Sequence, residues 1–326
     1  MFQRLGKWSL DWLERTTPWT NVYGAGRSLV ALAHLITFLA CSSTTLFHPV
    51  VGAPEVPHGD GIARYGLFYL LRDHLDVARW LAAAALLLVT IGWRPRWTGV
   101  VHAYVAWSFN NNASMIEGGE QVAQILALLL VPVTLTDPRK WHWDPAPDVP
   151  VDSNQAIFQK LTGALFLVAI RLQVCGIYLH AGTGKFTVQA WSDGTAMYYF
   201  VSNHTFGPAP WLRPLALWIC DHGALLTCMT WGALLIEVSL AAGLVADKRW
   251  WTPFLLAGLS LHTGIALLHG LVSFALIMMG AVVLYMRPKD RPFVLPRELL
   301  GRARRYLMLA PFVSKRRAGA LQATTR

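Results

Sequence analysis

Lys185 is the residue whose position points most directly to chemistry. It lies in the segment 177–191, at the end of a helix-length apolar run. An amine at the edge of a hydrocarbon environment must reach water, pair with an acid or lose its proton, and the neutral amine is a base or a nucleophile. Gly182 and Gly184 predict a break in the helix just before it. A lysine that only snorkels to the surface and positions the helix is the simpler alternative.

Aromatic and amide side chains are the next candidates. Trp191 and the run 198–200 supply amphipathic rings of the kind that collect at membrane interfaces. The segment 110–112 contributes three asparagines, uncharged donors and acceptors that can hold a carbonyl or hydroxyl oxygen without fixing the proton of a lysine. We therefore predict that Lys185 faces an outward-opening apolar pocket, with Asn111 and His262 on its walls and no carboxylate in direct contact.

A pair of acids precedes the apolar segment 121–135. Glu117 and Glu120 stand at its start, followed by Gln121 and, one helical turn on, Gln124. Carboxylates at a helix N-terminus are favourable in themselves, because the helix dipole is positive there. Two interpretations are equally open: the acids cap the helix, or one of them pairs with Lys185 or orients a substrate amide.

Ionisable side chains also lie within the apolar runs nearer the C-terminus. His262 and His269 are seven residues apart and share one helical face, and Glu237 lies midway along another run. Groups of this kind inside a membrane are functional candidates. No third ligand clusters with them, so hydrogen-bonded core histidines are favoured over a metal site. Arg171 needs an acidic or carbonyl partner, and Glu237 is the predicted one.

Composition places these residues in a membrane protein. Of the 326 residues, 54% are hydrophobic and only 14% are charged, which is typical of a polytopic helical chain with a single membrane domain. The net charge of +10 would suit nucleic acid in a soluble protein. Here the basic residues fall mostly in loops and in the tail, so no nucleic-acid partner is expected. The four cysteines are predicted to be free thiols, with a Cys220–Cys228 disulfide as the alternative.

The apolar pattern predicts an all-α bundle with about eight transmembrane helices. Residues 1–20 are interpreted as an amphipathic interfacial helix, 21–287 as the transmembrane domain and 288–326 as a basic cytoplasmic tail. The stretch 201–221 is too short and too rich in proline to span, and is expected to be interfacial. The predicted spans are 22–47, 77–93, 97–109, 121–135, 157–181, 223–245, 250–268 and 271–286.

The distribution of positive charge predicts the orientation. With both termini inside, most of the 28 lysines and arginines fall in cytoplasmic segments, as the positive-inside rule requires. The polar candidates then lie at the extracytoplasmic face. The lysines and arginines that fall outside the cytoplasmic segments are Arg64, Arg72, Arg79, Lys185 and Arg213, and Arg171 lies inside a predicted span.

The segment 181–199, which reads Ala-Gly-Thr-Gly-Lys-Phe-Thr-Val-Gln-Ala-Trp-Ser-Asp-Gly-Thr-Ala-Met-Tyr-Tyr, resembles a known motif. It is similar to the Ala-Gly-x-x-Lys-Leu and Trp-x-x-Gly motif of the HTTM domain, which vitamin K-dependent gamma-carboxylases share with the sporulation-delaying protein B group. The runs 107–112 and 259–262 are weaker matches, and the resemblance covers about 22–286. Asn112 stands where the carboxylases carry a histidine, and their large lumenal domain has no counterpart, so the second group is the closer one.

The resemblance implies a function at the outer face. Lys185 falls at the lysine that acts as the base on vitamin K hydroquinone in the carboxylases, so a quinol such as menaquinol is a possible cofactor. The chain would be a maturation factor or enzyme in the bacterial cytoplasmic membrane, with a secreted precursor peptide and a small SdpA-like protein as partners. The alternative is a non-catalytic membrane scaffold, an immunity-like protein or a quinone-binding protein.

The residues and the resemblance together give two candidate sets and no metal site. The catalytic set is Lys185, Asn111, Asn112, His262 and Glu120. The substrate-binding set is Asn110, Glu117, Gln121, His180, Trp191 and His269.

Overall fold

The computed structural model describes residues 11–49, 56–114, 117–288 and 292–293, and the regular secondary structure among them is helical. No strand occurs among them, so the prediction of an all-α fold is confirmed. Each predicted span lies largely within one long helix. The eight long helices are α1 (Asn21–Ala40), α2 (Leu75–Thr90), α3 (Pro95–Asn112), α4 (Gly118–Leu135), α5 (Asn154–Lys185), α6 (Gly223–Ala242), α7 (Trp251–His269) and α8 (Val272–Met286).

Shorter helices connect these elements. Arg213–Cys220 lies in the stretch 201–221 that was predicted to be interfacial, and it packs against the preceding helix Ala196–Ser202 through Met197, Ala216 and Cys220. Cys220 and Cys228 are both free thiols. The remaining short elements are the helices Ser43–Leu46, Leu67–Leu70 and Gln189–Ser192 and the 3-10 turns Gly61–Tyr65, Arg72–His74 and Lys248–Trp250.

Five described helices are long and apolar enough to cross a membrane: α1, α4, α5, α6 and the segment Lys248–His269 that contains α7. A span needs about 20 residues, and α2 and α8 are shorter. The protein is therefore a helical membrane protein with at least five candidate spans among its described residues. The count of eight stays a prediction.

Helix α8 lies at the centre of the bundle. It is apolar all round and packs against α1, α4, α5 and α7, as expected of a helix with no polar face. Small residues bring its backbone close to α1, because a Cβ built on Gly280 would lie 2.8 Å from the carbonyl oxygen of Gly26.

Helix α5 carries the lysine. It has 32 residues and runs unbroken to Lys185, so the predicted break at Gly182 and Gly184 is wrong. Gly182 serves close packing instead, since a Cβ there would lie 3.3 Å from the Val238 side chain on α6. At 1.5 Å per residue the helix is about 48 Å long, more than the hydrocarbon thickness of a bilayer.

The two predicted flanking segments are only partly described. Residues 11–14 are helical, and the rest of the predicted N-terminal interfacial helix before them lies outside the described residues. The basic tail 288–326 lies outside them too, apart from 288 and 292–293.

Candidate functional site

Lys185 and Glu237 form an ion pair between α5 and α6. The Lys185 Nζ donates to Glu237 Oε1 at 2.8 Å and to Oε2 at 2.6 Å. The two side chains are 23% and 13% exposed. The same ammonium lies 5.2 Å from the centre of the Trp191 ring. The prediction that no carboxylate contacts Lys185 is therefore wrong, and so is the predicted pairing of Glu237 with Arg171.

The local sequence explains why these two residues meet. Gly182 precedes Lys185 by one helical turn and has no side chain, so α6 can approach α5 at Val238. Glu237 is the neighbour of Val238, and the last turn of α5 places the lysine beside it. A cation is also favourable in the last turn of a helix, where the dipole is negative.

A second buried hydrogen bond lies beside the ion pair. The Tyr178 hydroxyl on α5 and His262 Nε2 on α7 are 2.7 Å apart, and the two residues are 1% and 2% exposed. Tyr178 interacts electrostatically with Glu237, and His262 with Lys185. We call Tyr178, Lys185, Glu237 and His262 the α5 cluster.

One nitrogen of the α5 cluster lacks a partner. His262 Nδ1 is buried and forms no hydrogen bond with the described residues. A neutral imidazole has one donor and one acceptor nitrogen. Whichever of them faces Tyr178, the other is an unsatisfied buried group. The cluster therefore offers one more hydrogen bond, next to an ammonium and a carboxylate.

This geometry limits the chemistry of the lysine. The Lys185 Nζ donates to both oxygens of Glu237 and lies 3.4 Å from the Ala181 carbonyl, so its hydrogen bonds are already made. The residues present therefore do not fit base chemistry on a quinol. As it stands, the cluster presents an ion pair and one hydrogen-bonding nitrogen to a polar group.

The asparagines lie at the junction of α3 and α4. Asn111 Nδ2 donates to the Trp107 carbonyl at 2.7 Å and to Gln124 Oε1 at 3.5 Å. Asn112 is fully buried and donates to the carbonyls of His58 and Ala63, so it fastens the segment before α2 to the end of α3. Neither asparagine forms a hydrogen bond with a member of the α5 cluster. No hydrogen bond therefore joins Asn111 to Lys185 or His262, the residues with which it was predicted to share a pocket.

The paired acids cap α4. Glu120 Oε2 accepts the Glu117 backbone N–H at 2.8 Å, and the Glu117 side chain accepts a backbone N–H in return, which is the capping-box arrangement. Burial raises the pKa of Glu117 above its usual range. The capping interpretation is confirmed, and Lys185 takes its carboxylate partner from Glu237 instead.

The other candidate binding residues are dispersed. Asn110 Oδ1 is buried and has no hydrogen-bond partner among the described residues, and Gln121 is exposed on α4. His180 is exposed in an open groove between α4 and α5. His269 Nδ1 lies 3.0 Å from the Phe206 carbonyl. Of the binding set, only Trp191 has a described contact with the α5 cluster, and the functional roles of all these residues stay predictions.

Sequence inspection missed a polar network at the other end of the bundle. Asp137 accepts two hydrogen bonds from the Arg139 guanidinium, at 2.8 and 2.9 Å, and one from the Tyr23 hydroxyl. Arg27, fully buried, donates to the Thr98 hydroxyl at 2.7 Å. Arg27, like Arg171, is a cation inside an apolar run, and this pattern could have revealed it. The positive-inside rule instead assigns Arg27 and Arg139 to the cytoplasmic charges that fix the topology.

His142 completes this network. Its Nδ1 lies 3.3 Å from Arg27 Nη1 and its Nε2 lies 3.1 Å from the Ser28 hydroxyl, which donates to the Thr90 carbonyl. Burial lowers the pKa of His142 well below its usual range, and the positive charge of Arg27 adds to this. Burial alone would lower the pKa of Arg139, but its hydrogen bonds and charge interaction with Asp137 raise it. The neutral imidazole thus links Arg27 to Ser28, and Arg139 Nη1 donates to the His142 backbone carbonyl at 2.9 Å.

Comparison with known proteins supplies the family. No family model matches the chain, and no solved structure does. The uncharacterized protein YitO of Bacillus subtilis (strain 168) is 38% identical over 293 residues, which are 89% of this chain and 92% of YitO. Sporulation-delaying protein SdpB of the same strain is 32% identical over 280 residues, 85% of this chain and 84% of SdpB. Since the likeness runs through most of both relatives, the chain belongs to the family that contains SdpB and YitO.

Proposed function

We propose that this protein is a membrane factor for the maturation of an exported peptide, and that it acts through the α5 cluster at the extracytoplasmic face. The family relation to a sporulation-delaying protein and the five candidate membrane helices support this proposal. The motif around Lys185, with its likeness to the HTTM domain, supports it as well. A small SdpA-like protein and a secreted precursor are the proposed partners.

The proposed topology has eight spans and both termini in the cytoplasm. Lys160 anchors the N-terminal segment near the start of α5, donating to the Leu13 carbonyl at 3.2 Å. Lys185 is the last residue of α5, 25 residues and about 38 Å further along the helix. If the basic N-terminal end of α5 faces the cytoplasm, as the positive-inside rule favours, the cluster faces the exterior.

The observation that carries the proposal is the buried His262 Nδ1, which has no hydrogen-bond partner among the described residues and lies in an apolar bundle that also holds an ion pair. Such groups cost stability, which makes a functional role the default interpretation. The Lys185–Glu237 pair would orient a peptide amide, and His262 would hold a neighbouring polar group.

The second candidate is a non-catalytic scaffold or immunity-like protein. It is favoured by the ion pair itself, because a lysine saturated by one carboxylate can simply fasten α5 to α6. In that case the cluster matters for folding alone, and isosteric changes that preserve the fold preserve the function.

The test is made in the native host. The gene is deleted, and the secreted peptides are compared by mass spectrometry after complementation with the wild type, with His262→Asn and with Arg213→Gln, which changes an exposed residue outside the cluster. We expect one processed peptide to be absent from the deletion strain and to reappear after complementation with the wild type or with Arg213→Gln. His262→Asn should accumulate normally in the membrane but fail to restore the peptide. An unchanged peptide profile in the deletion strain would refute the proposed function.

A further inference from the structure

A basic cavity lies between the N-terminal segment, α5, the start of α7 and the end of α8. Its volume is about 370 Å³, within the range of about 300 to 1,000 Å³ common for ligand sites. Four cations line it, namely Arg15, Arg171, Lys248 and Arg287. The described lining contains no aspartate or glutamate. Asp247, next to Lys248, accepts the Arg249 backbone N–H instead. Cations gathered in a cleft of low dielectric select an anion.

Arg171 is the central cation of this site. Its guanidinium carbon lies 4.0 Å from the centre of the Trp251 ring and 5.7 Å from that of Tyr285. Its Nε is buried and forms no hydrogen bond with the described residues, and none of the described carboxylates forms an ion pair with the guanidinium. Aromatic rings contact the flat face of a guanidinium. Its N–H edge, which can donate two hydrogen bonds to a phosphate, stays available for binding.

The other half of the cavity is apolar. Leu167, Val168 and Leu284 line it. Leu165, Val168 and Leu172 are exposed at helical spacing on α5 and continue the apolar wall beyond the cavity. Tryptophans such as Trp251 are typical of the level at which lipid headgroups lie. The matching ligand therefore has an anionic head joined to hydrocarbon chains.

We propose that this cavity binds the phosphodiester headgroup of an anionic phospholipid such as phosphatidylglycerol. Arg171 and Lys248 contact the phosphate, and an acyl chain follows the exposed stripe of α5. A choline headgroup is disfavoured, because its own cation would meet the lining cations. The site is separate from the α5 cluster, since Arg171 precedes Lys185 by 14 residues, about 21 Å along the helix.

The experiment uses the purified, delipidated full-length protein in detergent. Phosphatidylglycerol, phosphatidylcholine and inorganic phosphate are added at matched concentrations, and lipid retention in native mass spectra and the melting temperature are measured. We expect phosphatidylglycerol to be retained and to raise the melting temperature, with little effect from the other two. Arg171→Gln should weaken phosphatidylglycerol binding about tenfold, as expected for loss of a charged hydrogen bond. Lys248→Gln should weaken it several-fold, and Arg213→Gln, which removes an equal charge elsewhere, should leave it unchanged.

Three results would overturn the proposal. Retention of phosphatidylcholine equal to that of phosphatidylglycerol would show that the headgroup charge does not determine binding. An equal effect of inorganic phosphate would identify a soluble anion as the ligand. Binding by Arg171→Gln as tight as by Arg213→Gln would place the lipid elsewhere. If Arg171→Gln does not fold, the exposed Lys248 carries the test, and unchanged binding by Lys248→Gln then counts against the site.

Discussion

Replacing Lys185 with methionine tests how the α5 cluster is held together. The substitution keeps the length of the side chain but leaves the Glu237 carboxylate, 13% exposed, without the donor that both of its oxygens share. Removing one partner of a fully buried ion pair costs about 3 to 5 kcal/mol, because the other charge stays desolvated, and the part-buried Lys185–Glu237 pair should lie toward the lower end of that range. Glu237→Leu should cost a similar amount by stranding the ammonium. The double variant should regain most of the loss, since replacing both charges by apolar groups is often close to neutral.

The assay is a double-mutant cycle on the free energy of unfolding, measured by reversible denaturation of the full-length protein in mixed micelles. Asp76→Asn is the matched control. It breaks the Arg79–Asp76 pair, whose carboxylate is 69% exposed, and an exposed pair is worth less than about 1 kcal/mol. The reasoning would be refuted by single variants that each cost under about 1 kcal/mol, or by a double variant whose loss equals the sum of the two.

Three further predictions follow from other contacts. Because burial lowers the pKa of His142, the unfolded chain takes up a proton that the folded chain excludes, so stability falls as pH drops below about 6.5. Unfolding curves at pH 7 and pH 5 should show a smaller difference for His142→Asn, and an identical difference would contradict the assignment. Glu120→Ala should cost about 1 kcal/mol through loss of the α4 cap, measured as a lower denaturation midpoint, whereas a loss of several kcal/mol would point to a role beyond capping. Tyr178→Phe should cost about 1 to 3 kcal/mol by leaving His262 without its hydrogen bond, and an unchanged midpoint would mean that water or lipid replaces the hydroxyl.

Much of the fold could be predicted from the sequence because local patterns determine it. Apolar runs of helical length became helices, and the Glu-Gly-Gly-Glu spacing of Glu117 and Glu120 became a capping box, which depends on residues three apart. The favoured hydrogen-bonded core role for His262 is confirmed by its contact with Tyr178. These features need little knowledge of which helices are neighbours.

The partner of Glu237 could not be predicted in this way. Arg171 and Lys185 lie on the same helix, about 21 Å apart, and either could have met a carboxylate on α6. The crossing point of α5 and α6 decides between them, and Gly182 sets that point through close packing. A glycine within an apolar run signals either a break or a close approach, and sequence alone does not distinguish the two.

The polar network around Asp137 was missed for a related reason. Tyr23 and Asp137 are more than 100 positions apart in sequence, and only the packed bundle brings them together. Arg139 lies in a basic loop, where the positive-inside rule already gave it a role. That rule accounts for the sign of the charge but not for its burial.

The most direct test of the central claim is the secreted peptide profile of a host that carries the Lys185→Met, Glu237→Leu double variant in place of the wild type. This variant removes the ion pair without leaving a stranded charge, so it should accumulate in the membrane at close to the wild-type level. If the α5 cluster acts on an exported peptide, the processed peptide should be lost even though the protein is folded. Wild-type amounts of the processed peptide from the double variant would contradict the claim and assign the pair a structural role alone.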